Sequence, residues 1–274
     1  MSSSGGRCWR FSRALVRLPG ASVAAGLRMA GTRTPDAEKF LRQHQAYVAA
    51  LKAAGVQVTV LPALEQFPDS VFVEDAALCV PGTAITLRPG AATRRGEAAA
   101  IRPHLESLFN TVVDLPGEGT VDGGDVLLAD EEAFIGLSKR SDEKGCEALA
   151  SLLDELGYRS RRVQSPPEVL HFKSDCGLLD SDTFFATRRL AATRCFSDYR
   201  VIEAPAGEEA AANLVRVNDV VLLRTGFPRT EVLLQDSGFA VTTLATDQAA
   251  LVDGGLSCMS LRFSLSSQIQ GQIP

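Results

Sequence analysis

Histidine is scarce in this chain. Among 274 residues there are three, His44, His104 and His171, so a mechanism that needs a neutral-pH acid or base has few side chains to draw on. Paired cysteines are missing altogether. The six cysteines (Cys8, Cys79, Cys146, Cys176, Cys195 and Cys258) are scattered, with no Cys-x-x-Cys among them. That excludes zinc-knuckle and thioredoxin spacings and fits a reducing compartment better than a disulfide framework. Basic blocks are lacking as well: 28 Lys and Arg against 33 Asp and Glu give a net charge of −5 and a pI near 5.4, so no nucleic-acid surface is expected. The longest apolar runs are strand-sized, such as Val220-Val-Leu-Leu223, far short of the roughly 20 residues that cross a bilayer. Acids are absent before Asp36, while Arg7, Arg10, Arg13, Arg17, Arg28 and Arg33 crowd the same stretch. That is the composition of a transit peptide, yet Phe11 to Arg17 reads as a half-buried strand, and a cytoplasmic protein is the expectation.

What is present is a globular composition, 45% hydrophobic and 22% charged, with enough apolar residues for a substantial core. A unit of two strands, a helix and a closing strand recurs along it. Closing strands are expected at Val58–Pro62, Val112–Pro116, Arg161–Pro166, Val201–Pro205 and Phe239–Leu244, four of them running into proline. Strand pairs ahead of them are expected at Val71–Val73 with Ala84–Leu87, Asp125–Leu128 with Ala133–Gly136, and Leu214–Val217 with Val220–Leu223. The turns between them are Pro81-Gly82, Asp130 to Glu132 and Asn218-Asp219. Helices are expected over 36–54, 94–109, 142–156 and 230–237, with Pro103 disturbing the second and the fourth unit holding the weakest helix. Five such units of α/β type predict a closed, five-fold arrangement, completed by pairing a strand near Leu261 with the one near Phe11. Residues 10–263 read as a single domain, and 1–9 and 264–274 as disordered tails rich in Ser, Gly and Gln.

Candidate chemistry gathers at a few places. Asp253-Gly-Gly-Leu-Ser-Cys258 sets a cysteine behind two glycines at the start of a strand, a plausible reactive thiol, although lone cysteines are more often core. His171 lies at the start of the fourth unit, where the other units also carry polar residues, whereas His44 and His104 sit in helical stretches and read as packing or surface residues. Acids cluster at Asp69, Glu74 and Asp75 around an apolar stretch and at Asp122 and Asp125 around Gly123-Gly124. Such acids are capping groups or a cation-binding cluster. Arg88, Arg94, Arg95 and Arg140 stand in loops, and an arginine pair opposite an acidic cluster suits a zwitterion, carboxylate on the arginines and cationic end on the acids.

Six stretches taken together resemble the dimethylarginine dimethylaminohydrolases, guanidine-modifying enzymes of the pentein fold. They are Phe67–Asp75, Thr86–Gly90 with Arg94-Arg95, Thr120–Asp125, Phe134–Arg140, Leu170–Lys173 and Asp253–Phe263; they run in family order across nearly the whole chain and look nearest to the bacterial members. The resemblance implies a five-fold pseudo-symmetric α/β propeller and a hydrolase acting on the C–N bonds of linear amidines. Methylated arginines would become citrulline and dimethylamine or methylamine through an S-alkylthiouronium on Cys258. It implies Cys258 as nucleophile, His171 as general acid and base, and Asp75 with Asp122 on the substrate guanidinium. Arg94 and Arg140 would take the substrate α-carboxylate. Asp69, with Glu74 nearby, would position the amino end and the loops around it, and Leu27 and Val252 would touch substrate through their backbones. Some bacterial members carry glutamate where this chain has Asp122, one methylene shorter. No metal or organic cofactor is implied. The partner is a small molecule rather than nucleic acid or membrane, and the assembly is open between monomer and homodimer. Two alternatives remain at this level: another guanidine hydrolase or amidinotransferase acting on arginine, and a non-catalytic binding protein of the same fold.

Overall fold

The middle strands of this protein carry consecutive rather than alternate apolar residues at their centres, and the reason is that both of their faces are buried. A computed structural model describes residues 8–264. Its strands, in chain order, are β1 Arg13–Arg17, β2 Gln57–Leu61, β3 Ala77–Val80, β4 Thr83–Thr86, β5 Thr111–Asp114, β6 Val126–Ala129, β7 Glu132–Leu137, β8 Arg159–Gln164, β9 Cys176–Leu178, β10 Thr183–Ala186, β11 Arg200–Glu203, β12 Val215–Val217, β13 Val220–Arg224, β14 Ala240–Leu244 and β15 Leu261–Phe263. They form five three-stranded sheets, β15-β1-β2, β3-β4-β5, β6-β7-β8, β9-β10-β11 and β12-β13-β14. In each blade the inner strand is antiparallel to the middle one and the outer strand parallel to it. A parallel pair needs a crossover. The helices α1 Ala37–Ala53, α2 Arg95–Glu106, α3 Glu143–Glu155, α4 Arg188–Ala191 and α5 Pro228–Asp236 supply one per blade.

Side chains alternate across a strand, and here the alternation feeds two neighbouring seams. Leu15 of β1 packs toward the β3-β4 blade with Ile101 and Phe263, while Ala14 and Val16 pack toward β12-β13 with Tyr47 and Leu222. On β7, Ala133 and Ile135 enter one seam and Phe134 the next. On β10, Phe184 and Phe185 divide in the same way. Five apolar seams join the five blades in a ring, which is the five-fold propeller expected. β15 pairs with β1 as foreseen and closes it, Leu261 opposite Leu15. The inner strands β3, β6, β9, β12 and β15 surround a central channel, to whose lining all five contribute.

Three local expectations need correction. Val71–Val73 is not a strand: Val71, Phe72 and Val73 are all buried in loop and 3-10 turn, packed into two seams, and the strand starts after the acids, at Ala77. The apolar run therefore reflected a buried loop. Pro103 does not end α2, which runs one turn beyond it. Cys8, Trp9 and Ser264, assigned to the tails, belong to the folded part: Trp9 is buried, its carbonyl accepts from Asn218 N–H at 2.8 Å, and Ser264 Oγ donates to Arg10 O at 3.0 Å. The rest of the expected tails, 1–7 and 265–274, lies outside the described residues. Among the described residues no helix is long and apolar enough to cross a membrane.

Candidate active site

The loops that lead into the inner strands converge at one end of the channel. Asp75 lies in the 3-10 turn Val73–Ala76 before β3, Asp122 immediately precedes the turn Gly123–Asp125 before β6, His171 immediately precedes the turn Phe172–Ser174 before β9, and Cys258 precedes β15. Cys258, His171, Asp75, Asp69, Arg94, Arg140, Leu27 and Val252 all line one narrow pocket, whose free space of about 20 Å³ is about that of one water molecule. Asp122 stands directly behind His171, its Oδ2 2.8 Å from His171 Nε2. Nine of the ten residues expected at the site are thus gathered.

Glu74 is the exception. It lies beside Asp75 in the turn but faces the other end of the channel, a cavity of about 130 Å³ lined also by Lys173 and Arg262. Its Oε1 accepts from Lys173 Nζ at 2.8 Å and from Arg262 Nη2 at 2.9 Å. Glu74, expected beside Asp69 near the substrate's amino end and the loops around it, is thus a buried counter-ion on the far side of Cys258 from the pocket. Arg94, expected with Arg140 on a substrate carboxylate, lines the pocket but is largely engaged within the protein. Its Nε and Nη2 donate to Glu97 at 3.0 and 2.7 Å, Nη2 also to the Phe72 and Asp69 carbonyls, and Nη1 to Asp75 Oδ2 at 2.5 Å. Of its five N–H groups, one on Nη1 is left for a ligand. Arg140, by contrast, lines the pocket with its nearest acid, Asp122 Oδ2, 3.9 Å away.

The buried charges set the protonation states. Burial alone would lower the pKa of His171, but Asp75, the hydrogen bond to Asp122, and Asp125 outweigh it and raise the imidazole to about 9. Burial works against Asp75 too, yet His171 and Arg94 hold it down at about 2. Cys258 is pushed up to about 11, first by burial and then by Glu74 and Asp75, against the Gly255 N–H and the Ser257 hydroxyl. At neutral pH the pocket thus holds a thiol beside an imidazolium. Asp75, Asp122 and His171 could bring three ligand atoms within 4.8 Å of one another, but the Arg94 guanidinium and the protonated ring already supply the positive charge a metal would bring there. A guanidinium is the cation such planar, paired carboxylates match.

The two glycines before Cys258 are needed for close approach. A Cβ on Gly254 would come 2.2 Å from the Phe72 ring, and one on Gly255 2.2 Å from Asn213 Oδ1. The preceding Asp253 takes φ 55° and accepts the Met29 N–H at 2.5 Å, while Asp69 Oδ1 accepts the Leu27 N–H at 2.9 Å. These two bonds hold residues 27–29 beside the pocket.

Two contributors were not legible as such. Asp125, noted only as an acid near glycines, is fully buried; Oδ1 accepts from Phe172 N–H at 2.8 Å, and Oδ2 from Ser138 Oγ and Ser141 Oγ at 2.6 Å each. Ser141 Oγ in turn accepts from Asp122 N–H. One carboxylate therefore ties together the His171, Arg140 and Asp122 loops. Asn213, from the loop before β12, carries no signal of its own in the sequence beyond its place in the fifth unit, which matches that of the acids and histidine in the others.

A family model described as eukaryotic N,N dimethylarginine dimethylhydrolase matches residues 31–171. The chain is 37% identical over 254 residues to the N(G),N(G)-dimethylarginine dimethylaminohydrolase of Pseudomonas aeruginosa, covering 92% of this chain and all of that one. It belongs to the dimethylarginine dimethylaminohydrolase family. A solved structure of the Pseudomonas aeruginosa member complexed with citrulline superposes with a TM-score of 0.90 at 36% identity, covering 93% of this chain and 100% of that one. A further structure of this family, an adduct with S-methyl-L-thiocitrulline, gives 0.89 at 36% identity and covers 92% and 100%.

Proposed function

We propose that this chain hydrolyses Nω-methylated arginines, asymmetric dimethylarginine and monomethylarginine, to citrulline and dimethylamine or methylamine. The observation that carries the reading is a single pocket lined by Cys258, His171 and Asp75, with Asp122 hydrogen-bonded to the His171 ring, in a chain that spans the whole of its 37%-identical relative.

A guanidinium carbon is flat, resonance-stabilised and a poor electrophile, so it needs a strong nucleophile held on its axis. Asp75 and Asp122 fix the planar N–H edges, and the sulfur then faces carbon. The substrate's charge lowers the cost of ionising Cys258 where Glu74 and Asp75 had raised it. Cys258 gives its proton to solvent, Sγ attacks, forming the C–S bond, and the electron pair of one C–N bond leaves with the methylated amine, which takes its proton from His171. The S-alkylthiouronium remains. Neutral His171 then removes one proton from water, the oxygen adds to the same carbon, the C–S bond breaks as the remaining O–H proton passes to sulfur, and citrulline departs. Arg140, helped by the remaining Nη1–H of Arg94, takes the α-carboxylate, and Asp69 takes the amino end beside the backbones of Leu27 and Val252.

Incubation of the purified protein with asymmetric dimethylarginine, monomethylarginine and arginine, with citrulline quantified, tests the reading. The methylated substrates should be preferred, and Cys258→Ser should be folded and inactive. Arginine preferred would move the substrate class. No citrulline from any of the three would refute hydrolysis.

A further inference from the structure

Four blades each supply the site with a chemically active group from the loop leading into the inner strand: Asp75, Asp122, His171 and Cys258. The fifth blade supplies Asn213 at the equivalent place, two residues before β12. Its amide is engaged on both sides. Oδ1 accepts from Ser257 N–H at 3.2 Å and from Ser257 Oγ at 3.4 Å, while Nδ2 donates to Lys173 O at 3.1 Å and stands 3.9 Å from Cys258 Sγ. These partners fix the amide's direction, since a half-turn would set N–H against N–H and oxygen against oxygen. A donor is therefore turned toward the sulfur. Gly255 fits the same picture, because a side chain there would collide with Oδ1.

We propose that Asn213 is a positioning residue for the nucleophile: its amide clamps the Cys258 turn to the His171 segment and presents an N–H to the sulfur when the sulfur carries negative charge. This rests on the reading of Cys258 as the nucleophile but needs no assumption about substrate. Glu74, Asp75 and Asp253 bring negative charge near the sulfur, and His171, Lys173 and Arg262 positive charge. Asp69, Arg94 and Arg140 line the same pocket, and Asp122 stands behind His171. Against the acids and the burial that push the thiol up, neutral donors are few: the Gly255 N–H, the Ser257 hydroxyl at 3.9 Å and Asn213. Losing one should therefore be measurable.

The test is the pH dependence of iodoacetamide alkylation of Cys258, read by mass of its peptide, in wild type, Asn213→Asp and Asn213→Ala. Asn213→Asp, nearly isosteric, replaces the donor with a negative acceptor. It should move the midpoint up by about one pH unit or more, and so slow alkylation about tenfold below the midpoint; Asn213→Ala should move it up by about half as much. A residue that only braces the fold would lower activity and leave the midpoint in place, and an unmoved midpoint in folded variants overturns the proposal. If Asn213→Asp does not fold, Asn213→Ala and Gly255→Ala decide by the same criterion. Citrulline assays on the same samples separate the two claims. A wild type that makes no citrulline yet shows the Asn213-dependent midpoint refutes the hydrolase reading alone, whereas active enzyme with an unmoved midpoint refutes the role of Asn213 alone.

Discussion

Asp122→Asn should deprive His171 of most of its extra basicity. The imidazole is raised from an ordinary 6.5 to about 9 in spite of its burial, and Asp122 is, among the described residues, the one hydrogen-bond partner of its Nε2, at 2.8 Å, with Asp75 Oδ1 farther off at 4.0 Å. A charge-assisted hydrogen bond contributes about 1.5–3 kcal/mol, and 1.36 kcal/mol corresponds to one pKa unit, so loss of the charge should lower His171 by about 1–2 units. Asparagine still accepts the Gly90 N–H that Asp122 Oδ1 accepts at 2.7 Å. Its amide N–H2 would then face Nε2, which can accept only in the neutral ring. The assay is NMR titration of carbon-labelled histidine. With three histidines in the chain, His44→Gln and His104→Gln spectra assign the signals by subtraction. Wild-type His171 should titrate near 9 and the Asp122→Asn form near about 7–8. A wild-type midpoint near 6.5, or a midpoint unmoved by the substitution, would refute the electrostatic reasoning.

Other outcomes follow from the same geometry. Because Cys258 sits at about 11 and His171 at about 9, kcat/KM for citrulline formation should rise about tenfold per pH unit toward pH 9 as thiolate forms, then level as the imidazolium is lost; a decline above neutral pH would contradict those positions. A Cβ on Gly124 would lie 2.7 Å from His171 Nδ1 and 2.9 Å from Asp75 Oδ1, so Gly124→Ala should cost on the order of 100-fold in kcat with the far-UV spectrum unchanged. His44 is fully buried with neither ring nitrogen bonded, and burial lowers its pKa to about 4. Its folded pKa lies below the unfolded one, so its contribution is intact above about pH 6.5 and is lost as pH falls toward 4, about 2 kcal/mol by pH 5. Denaturant unfolding of His44→Leu should therefore lose less stability between pH 7.5 and 5 than wild type, and an equal loss in both would show that His44 is not the acid-sensitive group.

The fold was legible because its repeat is written twice, in outer strands of which four run into proline and in middle strands with consecutive apolar residues at their centres. What misled was Val71 to Val73, where a buried loop imitates a strand; composition cannot tell a segment packed between seams from one paired in a sheet. The site was legible by residue type more than by direction. Glu74 and Asp75 are adjacent in one tight turn and serve opposite ends of the channel, a difference fixed by backbone geometry that neither residue type announces. That most of Arg94's N–H groups are engaged within the protein was not legible, because its partner Glu97 is supplied by the first turn of α2, three residues on, where a glutamate reads as a helix-start residue. Asn213 shows the reverse case. Nothing about an asparagine marks it, and only the equivalence of the five blades brings it to notice.

The covalent role of Cys258 can be tested most directly with His171→Gly and S-methyl-L-thiocitrulline. A departing methanethiolate needs little help from an acid, so the first half-reaction should proceed, while hydrolysis stalls for want of a base. Mass analysis after mixing should find the Cys258 peptide heavier by citrulline less water, in near-stoichiometric amount. A folded His171→Gly protein that binds the compound and gains no mass on Cys258, or gains it on another residue, would contradict the account.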